Sequence, residues 1–235
     1  MFDKRSFKQW LWLSCKWLFI GIILYQLWIF LHICWWIKFN PSSSAFMENR
    51  LGIIQQKRPD AELKHQWVTY AKISNNLKRA VIASEDARFL EHEGFDWDGI
   101  QKAYRKNIKK GKIVAGGSTI SQQLAKNLFL SNQRTPWRKS EEAIITVMLE
   151  NILTKQRILE IYLNIIEWGE GVFGAEAASR HYYKTSAANL NAVQAAKLAA
   201  MIPNPRFYDV HSNTRYLNRR VTTIQARMRM AEVPK

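Results

Sequence analysis

Apolar residues follow two different patterns along this chain. The first is unbroken: between Lys16 and Lys38 runs WLFIGIILYQLWIFLHICWWI, which carries no charge when His32 is neutral. As a helix this run is roughly 30 Å long, the thickness of a bilayer core. A polar stretch at 38–60 follows, with NPSSS and QQKRPD, and reads as a turn-forming linker with a short apolar interruption. Beyond it, apolar residues recur mostly at helical spacing. Ser74, Asn75 and Asn76 cap a helix predicted through Leu77 to about Leu90. Asp96 or Asp98 caps the next, with Ile100, Tyr104 and Ile108 on its inner side. Thr119 and Gln122 are spaced as a capping box for a third. Further helices are predicted over 137–153, 155–166, 175–183, 192–202 and 219–230; Asn191 with Gln194 caps the 192–202 helix and Pro203 ends it. Trp67 to Tyr70 reads as one short strand. The pattern predicts a tail at 1–16, a transmembrane helix at 17–37, the linker at 38–60, and one mainly α domain at 61–235.

Charge adds direction to this picture. The 235 residues carry 35 Lys and Arg against 19 Asp and Glu, a net charge of +16, which implies an anionic partner. Residues 99–140 hold ten of the basic residues and no acidic one. Lys4, Arg5, Lys8 and Lys16 precede the apolar run, so the positive-inside rule leaves the N-terminus in the cytoplasm and exports the rest. Trp10, Trp12 and Trp17 at one end, and Trp35, Trp36 and Phe39 at the other, are placed as interfacial anchors. The run exceeds the ~7–15 residues of a signal-peptide core, which favours an anchor over cleavage near Ser43 and Ala45. Both cysteines, Cys15 and Cys34, belong to this region and stand roughly 28 Å apart at helical rise, too far to bridge. The domain has no cysteine, so disulfides and thiolate metal sites are excluded there.

Three stretches carry candidate chemistry. In SEDARFLEHEG, Val81, Glu85 and Phe89 fall in line on a helical wheel, which places Glu85 on an apolar face. Desolvation there favours the neutral carboxyl and suits a general base or acid. The alternative is a structural glutamate paired with Arg88 or a distant arginine. His92 alone reads as a hydrogen-bonded structural residue, and no metal-binding spacing such as H-E-x-x-H exists. In AGGSTISQQLAKN, Gly116 and Ser118 have phosphate-loop spacing with Gly111 just upstream, but Gly117 stands where the lysine belongs. Gly116 and Gly117 permit close backbone approach, and Gln122 with Lys126 shares the face of a helix whose N-terminus suits a phosphate. In RTPWRKSEE, Arg138, Lys139 and Glu142 reach one side of a helix, although periodicity does not choose between Glu141 and Glu142 as the inward acid.

Together these stretches resemble the peptidoglycan glycosyltransferases, lysozyme-like enzymes that polymerise bacterial cell-wall glycan. The family's E-D-x-x-F-x-x-H-x-G stands here as Glu85, Asp86, Phe89, His92 and Gly94. G-G-S-T-I-x-Q-Q-x-x-K-N runs from Gly116 to Asn127 without a mismatch, and R-K-x-x-E is Arg138, Lys139 and Glu142, which selects Glu142. K-x-x-I-L-E-x-Y-L-N begins at Lys155 and ends at Asn164. The resemblance covers about 67–205. After PNPRFY the chain departs from the family's proline-bearing continuation and reads Asp209-Val210-His211.

The resemblance implies a lysozyme-like helical domain on a single transmembrane helix, periplasmic and anchored in the bacterial inner membrane. It implies transfer of a growing glycan from undecaprenyl pyrophosphate to the 4-hydroxyl of lipid II, with inversion. Glu85 is then the general base, and Glu142 the second catalytic acid, orienting cations or sugars. Lys126, Arg138 and Lys139 neutralise the leaving pyrophosphate. Gly117, Ser118, Thr119, Gln122 and Gln123 belong to the donor side with Asn127 in support, and Asp86, Phe89 and His92 to the substrate-binding motif. Residues 127–130 with Pro136 and Trp137 are the candidate lipid-touching flap. No cofactor is required, with Mg²⁺ or Mn²⁺ at most stimulatory. Implied partners are lipid II, undecaprenyl-pyrophosphate-linked glycan, the membrane and other cell-wall synthesis or division proteins, with no nucleic acid. Neither Ser-x-x-Lys nor Lys-Thr-Gly is present, so no penicillin-binding transpeptidase is expected. The rival readings are a glycan-cleaving lysozyme-like enzyme and a non-catalytic module that binds an anionic polymer.

Overall fold

Residues 4–112, 116–131 and 135–235 are described in the computed structural model. Ala115 of the glycine stretch and Arg134 of the basic stretch, both named above, lie outside the described residues. The chain divides into two units, Met1–Phe39 and Asn40–Lys235. The first is helix α1 (Lys4–Trp35), in which Lys8–Trp35 is long and apolar enough to cross a membrane.

Side-chain oxygens start most helices of the second unit, each accepting an amide of the first turn. Ser44 caps α2 (Ala45–Gln55), Ser74 caps α3 (Asn75–Glu85) and Asp96 caps α4 (Trp97–Lys110). Thr119 caps α5 (Ile120–Phe129), with the reciprocal bonds of a full capping box to Gln122. Thr135 and Thr154 cap α6 (Pro136–Ile152) and α7 (Lys155–Ile165). Helix α8 (Ala175–Tyr183) starts at Gly174 without a side-chain cap, and α9 (Ala192–Met201) has the predicted Asn191–Gln194 box. Helices α10 (Pro205–Val210) and α11 (Arg215–Arg227) complete the chain. A small sheet of β1 (Lys64–His65), β2 (Glu167–Gly169) and β3 (Val172–Phe173) has β3 central, parallel to β1 and antiparallel to β2. Helix α3 packs against α9 and α11, and α5 against α2, α6 and α7. Leu77, Val81, Leu124, Ile145, Tyr162, Trp168 and Leu198 are fully buried at these junctions. The domain is mainly α, as a lysozyme-like domain should be.

Four expectations need correction. The 38–60 linker holds α2, which is fixed to the domain by buried Met47, Arg50 and Ile54. Arg50 reaches Glu167 at 3.3 Å and Glu170 at 3.1 Å, so a charged residue supplies part of the packing that apolar counting missed. The predicted strand at 67–70 is irregular up to Thr69 and enters a 3-10 turn at Tyr70, because the Asn164 amide both accepts the Val68 N–H and donates to the Val68 carbonyl, each at 2.9 Å. That side chain takes the bonds a neighbouring strand would have made. Helix α3 stops at Glu85 and not near Leu90, since Asp86 turns to a non-helical φ of −160°. The inner face of α4 is also different: Tyr104 is 65% and Ile108 63% exposed, while Ala103 is buried. The helix docks through small contacts, and a Cβ on Gly117 would lie 2.9 Å from the Ile100 Cα.

Candidate active site

Because α3 ends at Glu85, its carboxylate projects from a helix terminus instead of lying along an apolar stripe. The predicted apolar surroundings are replaced by hydrogen-bond donors. Glu85 Oε1 accepts from Ser84 Oγ at 2.9 Å and from Arg220 Nη2 at 3.2 Å, and Oε2 accepts from Gln123 Nε2 at 3.2 Å. The amide of Gln123 is oriented from behind. Tyr162, fully buried, donates its hydroxyl to Gln123 Oε1 at 2.8 Å, which turns Nε2 toward Glu85. Burial first, and then the charges of Glu85 and Asp86, hold the Tyr162 phenol well above its usual range, so it stays a donor.

A cleft of about 610 Å³ opens in front of Glu85. Helix α5 lines it with Gln122, Gln123 and Lys126, and the preceding turn adds Ser118. Helix α6 supplies Arg138, Lys139 and Glu142, one turn in from its Thr135 cap and Pro136. Arg138 Nη1 donates to Glu142 Oε2 at 2.8 Å, and Lys139 Nζ pairs with Glu142 Oε1. The Glu142 side chain is only 4% exposed, so one buried carboxylate holds two cations together. Arg138 Nε is buried without a partner among the described residues. The remaining wall comes from Phe46, Ser131, Ile202, Pro203 and Arg206. A second hollow of about 350 Å³ shares Glu85 and Ser118 and adds Gly116, Gly117, Thr119, Asp86 and Arg227.

Other motif residues hold the cleft in shape from behind. Asp86 accepts the Ile120 amide and the His92 Nε2–H, each at 2.9 Å, fastening the end of α3 to the start of α5. Thr119 Oγ1 donates to the Gly94 carbonyl at 2.6 Å. Gly94 itself has φ +89°, and a Cβ there would meet Thr146 Cγ2 at 2.7 Å. Phe89 is fully buried, with Lys155 Nζ 4.6 Å from its ring centre. Asn127 is buried on α5 and is not among the residues lining the cleft. Of the flap residues, Leu128 and Leu130 are buried and Trp137 is exposed. Sequence reasoning missed Phe46, Tyr162, Arg206 and Arg220 as site residues. Tyr162 stood within the fourth motif, and Arg220 lies on the same stripe as Leu217 and Ile224.

A carboxylate facing a cation cluster in a polar cleft, within a mainly α domain, is a site suited to group transfer with an anionic leaving group. The family model described as Transglycosylase matches residues 52–229. The biosynthetic peptidoglycan transglycosylase of Methylobacillus flagellatus is 68% identical over 227 residues, 97% of this chain and 99% of that protein. Those of Chromobacterium violaceum and Laribacter hongkongensis are 65% and 61% identical, covering 91% and 93% of this chain and 94% and 99% of theirs. The chain belongs to the transglycosylase family and is a glycosyltransferase.

Proposed function

We propose that this enzyme polymerises lipid II into peptidoglycan glycan strands. The observation that carries the reading is the cleft itself: a hydrogen-bonded carboxylate, Glu85, shares it with Lys126, Arg138 and Lys139. Glu85 removes the proton of the lipid II 4-hydroxyl as that oxygen bonds to the anomeric carbon of the growing glycan. The bond to undecaprenyl pyrophosphate breaks with inversion, and its electron pair leaves on the phosphate oxygen. Charge therefore grows where the cations sit, which is where a fixed clamp lowers the barrier most. Glu142 keeps two members of that clamp in place. The relatives' names support peptidoglycan as the product. Helix α1 suits a single-pass anchor in the inner membrane, with the N-terminus cytoplasmic and the domain periplasmic. No cofactor is required by this scheme, and a divalent cation at most stimulates it.

The test gives the purified full chain either lipid II or finished, lipid-free glycan strands in detergent. Polymer from lipid II, with undecaprenyl pyrophosphate released and free strands untouched, is the expected result. Glu85→Gln keeps the shape and removes the base, so polymerisation should fall by at least ~10²-fold. Shortening of free strands without polymer would make the protein a glycan-cleaving enzyme.

A further inference from the structure

Helix α11 brings an arginine to the base from the far end of the chain. Its buried stripe is Leu217, Ile224 and Met228, and Arg220 falls on the same side, three residues after Leu217 and four before Ile224. Its partners are at the end of α3. Nη2 donates to Ser84 Oγ at 2.9 Å and to Glu85 Oε1 at 3.2 Å. Ser84 Oγ has one proton and two acceptors in reach, Glu85 Oε1 at 2.9 Å and the Ala199 carbonyl at 3.3 Å; donated over the shorter distance, it closes a ring of arginine, serine and carboxylate. The two protons of Nη2 are both used within that ring.

Counting acceptor capacity shows what the ring does. A carboxylate oxygen accepts about two hydrogen bonds. Oε1 receives two, from Ser84 and Arg220, and is filled. Oε2 receives one, from Gln123, and keeps one acceptor position among the described residues. Arg220 is absent from the lining of the cleft and of the adjoining hollow, although Glu85 lines both. It therefore reaches the chemistry only through Glu85 and Ser84.

We propose that Arg220 is a positioning residue for Glu85: it fixes Oε1 from behind and leaves Oε2 as the oxygen that takes the acceptor proton. This rests on Glu85 being the base. Without the guanidinium, Oε1 keeps only the Ser84 bond and Oε2 only the Gln123 bond, so the carboxylate is held less tightly in its orientation. The effect belongs in turnover, because Arg220 lines neither the cleft nor the adjoining hollow.

The experiment follows lipid II polymerisation by the full chain and its Arg220→Ala, Arg220→Lys, Ser84→Ala and Glu85→Gln variants, alongside thermal unfolding. Arg220→Ala should lose ~10- to 100-fold in kcat, the scale of a misplaced catalytic group, with KM unchanged. Low concentrations of guanidinium ion should restore part of that loss in Arg220→Ala and none in Glu85→Gln. Wild-type kcat in Arg220→Ala, a change in KM alone, or a loss that guanidinium leaves untouched would overturn the proposal. Should Arg220→Ala not fold, Arg220→Lys and Ser84→Ala carry the test: each should lower kcat at constant KM, and full kcat in both overturns it. Full activity in Glu85→Gln would instead remove the base assignment, a separate failure that the Arg220 variants cannot produce.

Discussion

Glu142 shows how one buried side chain can serve stability and chemistry together. Its carboxylate is satisfied by Arg138 and Lys139, and both cations are held at the wall of the cleft, where the proposed reaction puts the leaving group. Replacing Arg138 and Lys139 with Gln should lower turnover more than it weakens acceptor binding, and steady-state kinetics with varied lipid II will read the difference. Stability separates from activity in a second comparison. Arg138→Gln leaves a nearly buried carboxylate with one partner and should cost about 1–3 kcal/mol. Adding Glu142→Gln removes the stranded charge, so the melting temperature should recover while polymerisation does not. Recovery of both would reduce the pair to a structural bridge. Tyr162 offers a milder case. Tyr162→Phe removes the donor that turns the Gln123 amide toward Glu85, at a net cost of about 1 kcal/mol and with a larger proportional loss of kcat than of KM.

At the scale of elements, close contacts decide what side chains the glycine turn allows. Gly117→Ala would place a methyl 2.9 Å from the backbone of Ile100, where no flexible side chain can yield. The start of α5 and helix α4 must separate, and unfolding should show a loss of about 1–3 kcal/mol together with reduced polymerisation. Gly116→Ala meets nothing within 4 Å and should be far milder. These elements also show what a sequence can and cannot reveal. Both capping boxes were readable because Thr119 with Gln122, and Asn191 with Gln194, act within one turn. The end of α3 was not, because Asp86 leaves the helix to bond Ile120, 34 residues later. The stripe of Ile100, Tyr104 and Ile108 misled at its last two positions for a related reason, while Ile100 does face Gly117. Periodicity identifies a face, but only the tertiary contact through Ala103 and Gly117 shows which face is covered.

Across the whole molecule, the readable part of the cleft is the part built from short motifs. Lys126, Arg138, Lys139 and Glu142 were found in this way, whereas Phe46 and Arg206 come from segments on either side of the motif region and carry no local signature. The departure after Tyr208 is accommodated in the same long-range manner. Asp209 accepts from the Glu170 amide at 2.9 Å, from the Tyr182 hydroxyl at 2.8 Å and from His181 at 3.1 Å, tying α10 to the small sheet. A pH effect arises at that sheet. Burial lowers the pKa of His65 below its ordinary 6.5, against the opposing bond from Nε2 to the Asn164 carbonyl. The unfolded chain then takes up a proton near pH 6.5 that the folded chain refuses, so stability is complete above that pH and lost as pH falls through it. His65→Gln should flatten this acid-side decline in thermal melts, and an unchanged decline would assign it to other groups.

The ring that joins Arg220 to Glu85 spans 135 residues of sequence. A chain that emerges from its N-terminus onward completes α3, α5 and α6 well before α11 exists. The cations and the base can all be present while the base still lacks its last support. With Arg220 as the proposed support of Glu85, a chain that ends before Arg220 would carry the short motifs without that support, and without the packing of α11 on α3 and α9.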